Sequence, residues 1–263
     1  MILASASPVG LGLAALGIVA YGVPAAAAPL LGNRGARAAL LVAWLLHALT
    51  LAWGLWGDTP RFGWAPALSA TAWLVLTVYV IEREVFPQLH ARWALAALGA
   101  LALVLPLIDP GLPLRSTGSA WQPIHLALGI AAYGLFAAAV IHAWLMRRAE
   151  FYIRQARDNY AGVPLLTLER LTFRFATAGF LVLSATLLAG LLFSESLGGW
   201  RWNHKTVFSV LAWVAFALLL LGRLRFGWRG RKAVRVLYTG SLLLLLAYVG
   251  SRFVLEVVLG RAA

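Results

Sequence analysis

The stretch "WQPIHLALGIAAYGLFAAAVIHAWLMRR", residues 121–148, decides the fold. From Trp121 to Met146 it holds no acid, lysine or arginine, only His125 and His142 as potential charges near neutral pH, and an arginine pair then closes it. At about 1.5 Å of rise per residue, a helix of this length crosses the ~30 Å hydrocarbon core of a bilayer. The run therefore reads as a membrane-spanning helix.

The rest of the chain repeats the pattern. Of the 263 residues 62% are hydrophobic and only 12% charged, whereas soluble domains are about a quarter charged. Apolar runs between charged breaks fall near 9–31, 38–57, 65–82, 93–108, 121–146, 172–194, 206–222 and 233–256. A β-barrel would show short alternating segments instead. The expected fold is all-α, a polytopic membrane helix bundle of about eight transmembrane helices forming one domain over residues 1–263. The N-terminal "MILASASPVGLGLAALGIVAYG" lacks the basic residues that open a cleavable signal peptide and reads as an uncleaved first span. Pro24 and Pro106 mark possible kinks.

Basic residues give the orientation. Alternate loops hold 16 of the 22, with the richest stretches at 147–174 and 223–235. The opposite set holds Arg61, Arg115, Arg201, Lys205, Arg252 and Arg261. Both termini are thus expected outside. The excess positive charge is spent on cytoplasmic loops, which removes nucleic acid as a partner and leaves the lipid bilayer. The stretch "RRAEFYIRQARDNYAGVPLLTLER" reads as a basic loop containing a surface helix before Gly162.

Chemistry must come from few groups. There is no cysteine, so disulfides and thiolate metal sites are excluded. His47 lies well inside the second span and His125 one turn into the fifth, near its outer end. His142 lies some 25 Å from His125 along the same helix, at about 1.5 Å per residue, too far to share a site. His204 sits in an outer loop, "GGWRWNHK", residues 198–205. No carboxylate pair or triad accompanies these histidines, and no acid falls mid-span. Haem suits such a set: its iron takes neutral imidazole, its ring takes aromatic walls and its propionates take cations. Six of the twelve tryptophans, including Trp121, Trp200 and Trp202, fall on the outer side; an ordinary interfacial aromatic belt is the competing reading. Arg201, Lys205 and Arg252 are candidate propionate partners. Arg252 also has Glu256 one turn away, in position to pair with it.

The runs "WQPIHLALGIAAYGLFAAAVIHAWLM", "LERLTFRFATAGFLVLSATLLAGLLF" and "WRWNHKTVFSVLAWVAFALLLLGRLRFGWRGRKAVRVLYTGSLLLLLAYVGSRF" resemble the cytochrome c assembly family, the CcsA- and CcmC-like haem-handling membrane proteins. Within it they are most similar to the YpjD-like inner-membrane branch, and the resemblance covers residues 40–256. It implies a tryptophan-rich outer loop that cradles haem, with Trp200, Trp202 and Lys205 matching its pattern. Asn203 and Thr206 stand where that pattern carries acids. It also implies His125 as an outer iron ligand and His47 as an intramembrane histidine, with His204 as an alternative ligand. Two further family histidines would fall near Gly222–Arg223 and Ser251–Arg252, where this chain has none.

The resulting expectation is a non-enzymatic inner-membrane protein that binds or handles haem, of b type, at its periplasmic face during cytochrome biogenesis. Other membrane or biogenesis proteins would be its partners. A scaffold that keeps the fold without haem, or a small-molecule transporter, are the alternatives.

Overall fold

The computed structural model describes residues 7–26, 28–57, 60–85, 92–114, 121–155, 163–193 and 202–259. Each apolar run becomes a helix: α1 (Pro8–Ala26), α2 (Ala28–Trp56), α3 (Trp64–Val85), α4 (Arg92–Ile108), α5 (Trp121–Arg154), α6 (Leu165–Leu192), α7 (His204–Phe226) and α8 (Gly230–Leu245). Among the described residues six helices are long and apolar enough to cross a membrane, starting at Arg34, Trp64, Trp121, Leu165, His204 and Gly230. The apolar stretches Pro8–Val23 and Leu95–Ile108 are shorter.

Three boundaries differ from the sequence reading. The first expected span ran to residue 31, but α2 already starts at Ala28. Pro29 fits that start, because proline is tolerated in a helical first turn, where its missing N–H has no partner to lose. In the basic 147–170 stretch no separate surface helix occurs among the described residues. Instead α5 continues unbroken to Arg154 and α6 starts directly after Pro164. Nothing between Met146 and Arg154 breaks a helix, and Glu150 sits 2.7 Å from Arg147 and 3.7 Å from Arg154 across successive turns. The only strands among the described residues are two-residue pieces, β1 (Arg61–Phe62) and β2 (Leu112–Pro113), paired antiparallel.

The chain divides into two compact units. The first comprises residues 1–81, 91–115 and 252–263. Its core joins Tyr21, Leu40, Ala43, Leu76, Ala96 and Leu103 from four helices. Trp44 stacks on Trp73 at 5.3 Å, and each indole N–H is satisfied, by Thr77 Oγ1 and by the Trp44 carbonyl respectively. Ser7 caps α1 through the Gly10 N–H and also accepts from the Trp53 indole at 2.7 Å.

The second unit comprises residues 82–90 and 116–251 and holds α5–α8. Phe136 of α5 and Phe216 of α7 stack face to face at 3.6 Å. Glycine flanks both rings: a Cβ on Gly179 would lie 3.1 Å from Phe136, and one on Gly240 only 2.7 Å from Phe216. Small residues let membrane helices approach closely, where packing rather than water exclusion drives association. Beyond Leu245 the helix of α8 widens to π geometry over Leu246–Gly250, returns to α over Ser251–Phe253 (α9), and widens again over Val254–Val258.

Candidate functional site

Apart from His47, the sequence placed its candidates toward one end of α5–α8, and the four-helix unit brings several of them to that end. The start of α5, the end of α6, the start of α7 and the π turn after α8 meet there. Trp121 opens α5 and stacks on Phe193 at the end of α6, 3.7 Å between centroids and 10° between planes. One turn on, His125 lies against the Thr186 backbone of α6. Its Nδ1 is shielded from solvent and has no hydrogen-bond partner among the described residues. Lys205 Nζ sits over the Tyr248 ring at 5.6 Å. Trp202 and His204 are exposed. Trp200 and Arg201, also expected here, lie outside the described residues.

The loop's departures from the family pattern have a local explanation. Asn203 is the N-cap of α7, in extended conformation, and its Oδ1 accepts from the Thr206 N–H at 3.1 Å and from the Thr206 hydroxyl at 3.3 Å. Where the pattern carries two acids, this chain has an Asx cap and the residue it caps. The positions expected for the two further histidines are filled by packing. A Cβ on Gly222 would collide with the Trp228 indole, and Arg223 reaches Glu169 at 2.7 Å. Ser251 is buried and turns its hydroxyl back to the carbonyls of Ala247 and Tyr248.

The π turn was invisible in the sequence. Tyr133 donates its hydroxyl to the Leu244 carbonyl, just before the wide turn begins. The Ser251 hydroxyl in turn reaches the Ala247 and Tyr248 carbonyls within the turn. Single π turns inside α-helices are frequent at functional sites.

His47, expected among the haem-binding residues, is engaged elsewhere, within the first unit. It is fully buried, with Nδ1 at 3.2 Å from the Tyr21 hydroxyl and Nε2 at 3.0 Å from Ser69 Oγ. Both ring nitrogens are occupied, and the imidazole ties α1, α2 and α3 together. Arg252 and Glu256 also belong to the first unit and pair at 3.2 Å, as their spacing anticipates. Nearby, Asp109 accepts from the Trp64 indole at 2.5 Å and from the Gly111 N–H at 2.9 Å, where Gly111 takes a positive φ of 76° beside β1.

One buried acid was missed. Glu82, at the end of α3, faces His142 of α5 with 2.9 Å between Oε2 and Nε2, and both side chains are buried. His142 Nδ1 lies 2.7 Å from the Ala138 carbonyl and must donate to it. The Nε2–Oε2 contact therefore shares a proton, carried by one partner or the other. The available signal was a glutamate and a histidine, both near the inner ends of their runs. Among the described residues no group of three His, Asp or Glu is placed to hold a metal ion.

Comparison with known proteins agrees with the resemblance. The family described as Cytochrome C assembly protein matches residues 34–259. The chain is 30% identical over 137 residues to the inner membrane protein YpjD of Escherichia coli K12, a match spanning 51% of this chain and 52% of that relative. It thus covers about half the length of those relatives. An uncharacterized 28.8 kDa protein of Azospirillum brasilense is 31% identical over 228 residues, covering 80% of this chain and 82% of the relative. The cytochrome c biogenesis protein CcsA of Prochlorococcus marinus NATL1A is 24% identical over 260 residues, covering 83% and 82%. No solved structure matches. The six long apolar helices and these relatives make the chain a multi-pass inner-membrane protein.

Proposed function

The chain belongs to the cytochrome C assembly protein family, and from that membership we propose that it binds or handles haem at its periplasmic face without catalysing a bond-making reaction. The carrying observation is His125 Nδ1, an imidazole nitrogen shielded from solvent and left without a hydrogen-bond partner among the described residues. A buried polar atom without a partner is costly, and an iron ligand is a role that would use it. Bound there, a b-type haem would supply an iron able to take a neutral imidazole. Trp121, held flat by Phe193, offers an aromatic wall. Lys205 offers a cation to a propionate, and Trp202 an exposed indole at the same end of the unit; Trp200 and Arg201 belong to the proposed loop by sequence. His47 drops out of the ligand set because both its nitrogens are engaged, and Arg252 is assigned to its pair with Glu256. The basic-residue asymmetry supports eight spans with both termini periplasmic. Cytochrome-biogenesis proteins would be the partners.

A second reading is favoured by a specific observation. Gly222 and Ser251, where family histidines would fall, are committed to packing and to backbone carbonyls. This supports a scaffold that keeps the fold without haem. Absorption spectra of the detergent-purified protein, with and without added haemin, separate the two. The haem reading expects a Soret band that disappears in His125→Ala while the protein remains monodisperse. No band under either condition overturns it in favour of the scaffold.

A further inference from the structure

The opposite end of the four-helix unit carries a charge arrangement that the haem reading does not use. Where α6 begins and α7 ends, Glu169 Oε1 is shared by two guanidinium groups, Arg223 at 2.7 Å and Arg229 at 2.8 Å. One carboxylate balances only one of them. Arg170 and Arg174, one turn apart on α6, are exposed and make no hydrogen bond or ion pair among the described residues. These four arginines and Glu169 line an open cleft of about 590 Å³, leaving three positive charges unbalanced. The remaining wall is apolar, with Phe173 beneath the Arg223 guanidinium at 4.5 Å and Leu181 further along.

The order of residues along α6 selects the occupant. Arg170, Arg174, Thr177 and Leu181 follow one another at helical spacing on a single exposed face. The face is cationic at the helix start and apolar from Thr177 onward. Leu181 lies about 10 Å deeper than Arg174 at the helical rise, which separates headgroup level from acyl level. A small anion would use the arginines and leave the apolar run bare. A zwitterionic lipid would bring its own cation into a cleft already in positive excess.

We propose that this cleft binds an anionic glycerophospholipid, with its phosphate against Arg170, Arg174 and Arg229 and an acyl chain along Thr177 and Leu181. Guanidinium groups suit the site because their planar donor pairs match phosphate oxygens, and basic pockets between membrane helices are known to hold such headgroups. Arg223, fixed by Glu169 and Phe173, forms the floor.

The test is native mass spectrometry of the full chain from mixed micelles containing phosphatidylglycerol or phosphatidylcholine. The unmodified protein should retain phosphatidylglycerol about tenfold more than phosphatidylcholine, and R170Q/R174Q should lose that preference. R154Q, which removes an exposed arginine of α5, should keep it. Three results would overturn the proposal. They are equal retention of both lipids by the unmodified chain, an undiminished preference in R170Q/R174Q, and displacement of the lipid by excess inorganic phosphate. The last would make the cleft a simple anion site.

Discussion

His47→Leu tests the assignment of this histidine as a tie between helices. Leucine keeps the apolar volume and removes both hydrogen bonds, leaving the Tyr21 hydroxyl and Ser69 Oγ without the partners they have now. Ser69 and His47 are both at 0% exposure, so water cannot substitute. An orphaned hydroxyl costs about 1–3 kcal/mol in a soluble core, while interhelical side-chain bonds in membranes average about 0.6 and reach about 1.7 kcal/mol. Two such bonds give a loss of about 1–3 kcal/mol on the membrane values. For a chain of this size about 2 kcal/mol corresponds to a midpoint fall of about 4–8 °C. Thermal unfolding in detergent, followed by tryptophan fluorescence, measures it. The triple variant Y21F/H47L/S69A should recover at least half of the loss, because removing all partners together leaves nothing unsatisfied. A single variant that melts with the wild type, or a triple no better than the single, would refute this assignment. So would a Soret band that H47L abolishes while the melting temperature stays put, since His47 would then be a ligand.

Two further outcomes follow from local contacts. Asn203→Ala should lower stability by about 1 kcal/mol through loss of the α7 cap, whereas Asn203→Asp should stay close to wild type because a carboxylate oxygen accepts equally well; thermal midpoints decide. Glu82→Leu should cost about 3 kcal/mol or more by leaving His142 Nε2 buried without its partner. In a double-mutant cycle Glu82→Leu/His142→Leu should then be more stable than the sum of the singles, and additive losses would deny the pair.

The apolar runs made the helices legible because the property that forms a membrane helix, a stretch of side chains matched to hydrocarbon thickness, is local. The same holds for Arg252 with Glu256, four residues apart on one helix face. The position of His125 one turn into α5 was legible by counting. The widening of the helix after Leu245 was not, because no residue in that apolar run marks it, and the Tyr133 hydroxyl bonded beside it comes from more than a hundred residues away. The cap at Asn203 was available in principle, since asparagine three residues before threonine opens an apolar run. Comparison with a family pattern drew attention to the missing acids instead.

By itself the sequence determined that this chain lives in a membrane as helices, which runs those helices occupy, and which few polar groups they carry. Only the tertiary structure decided what those groups face. His47 meets residues 26 and 22 positions away, and His142 meets an acid 60 positions away. Such pairings depend on how each helix is rotated and shifted against its neighbours. That is set by the interlocking of alanine, glycine and aromatic surfaces from several helices at once, and no single run of residues encodes it.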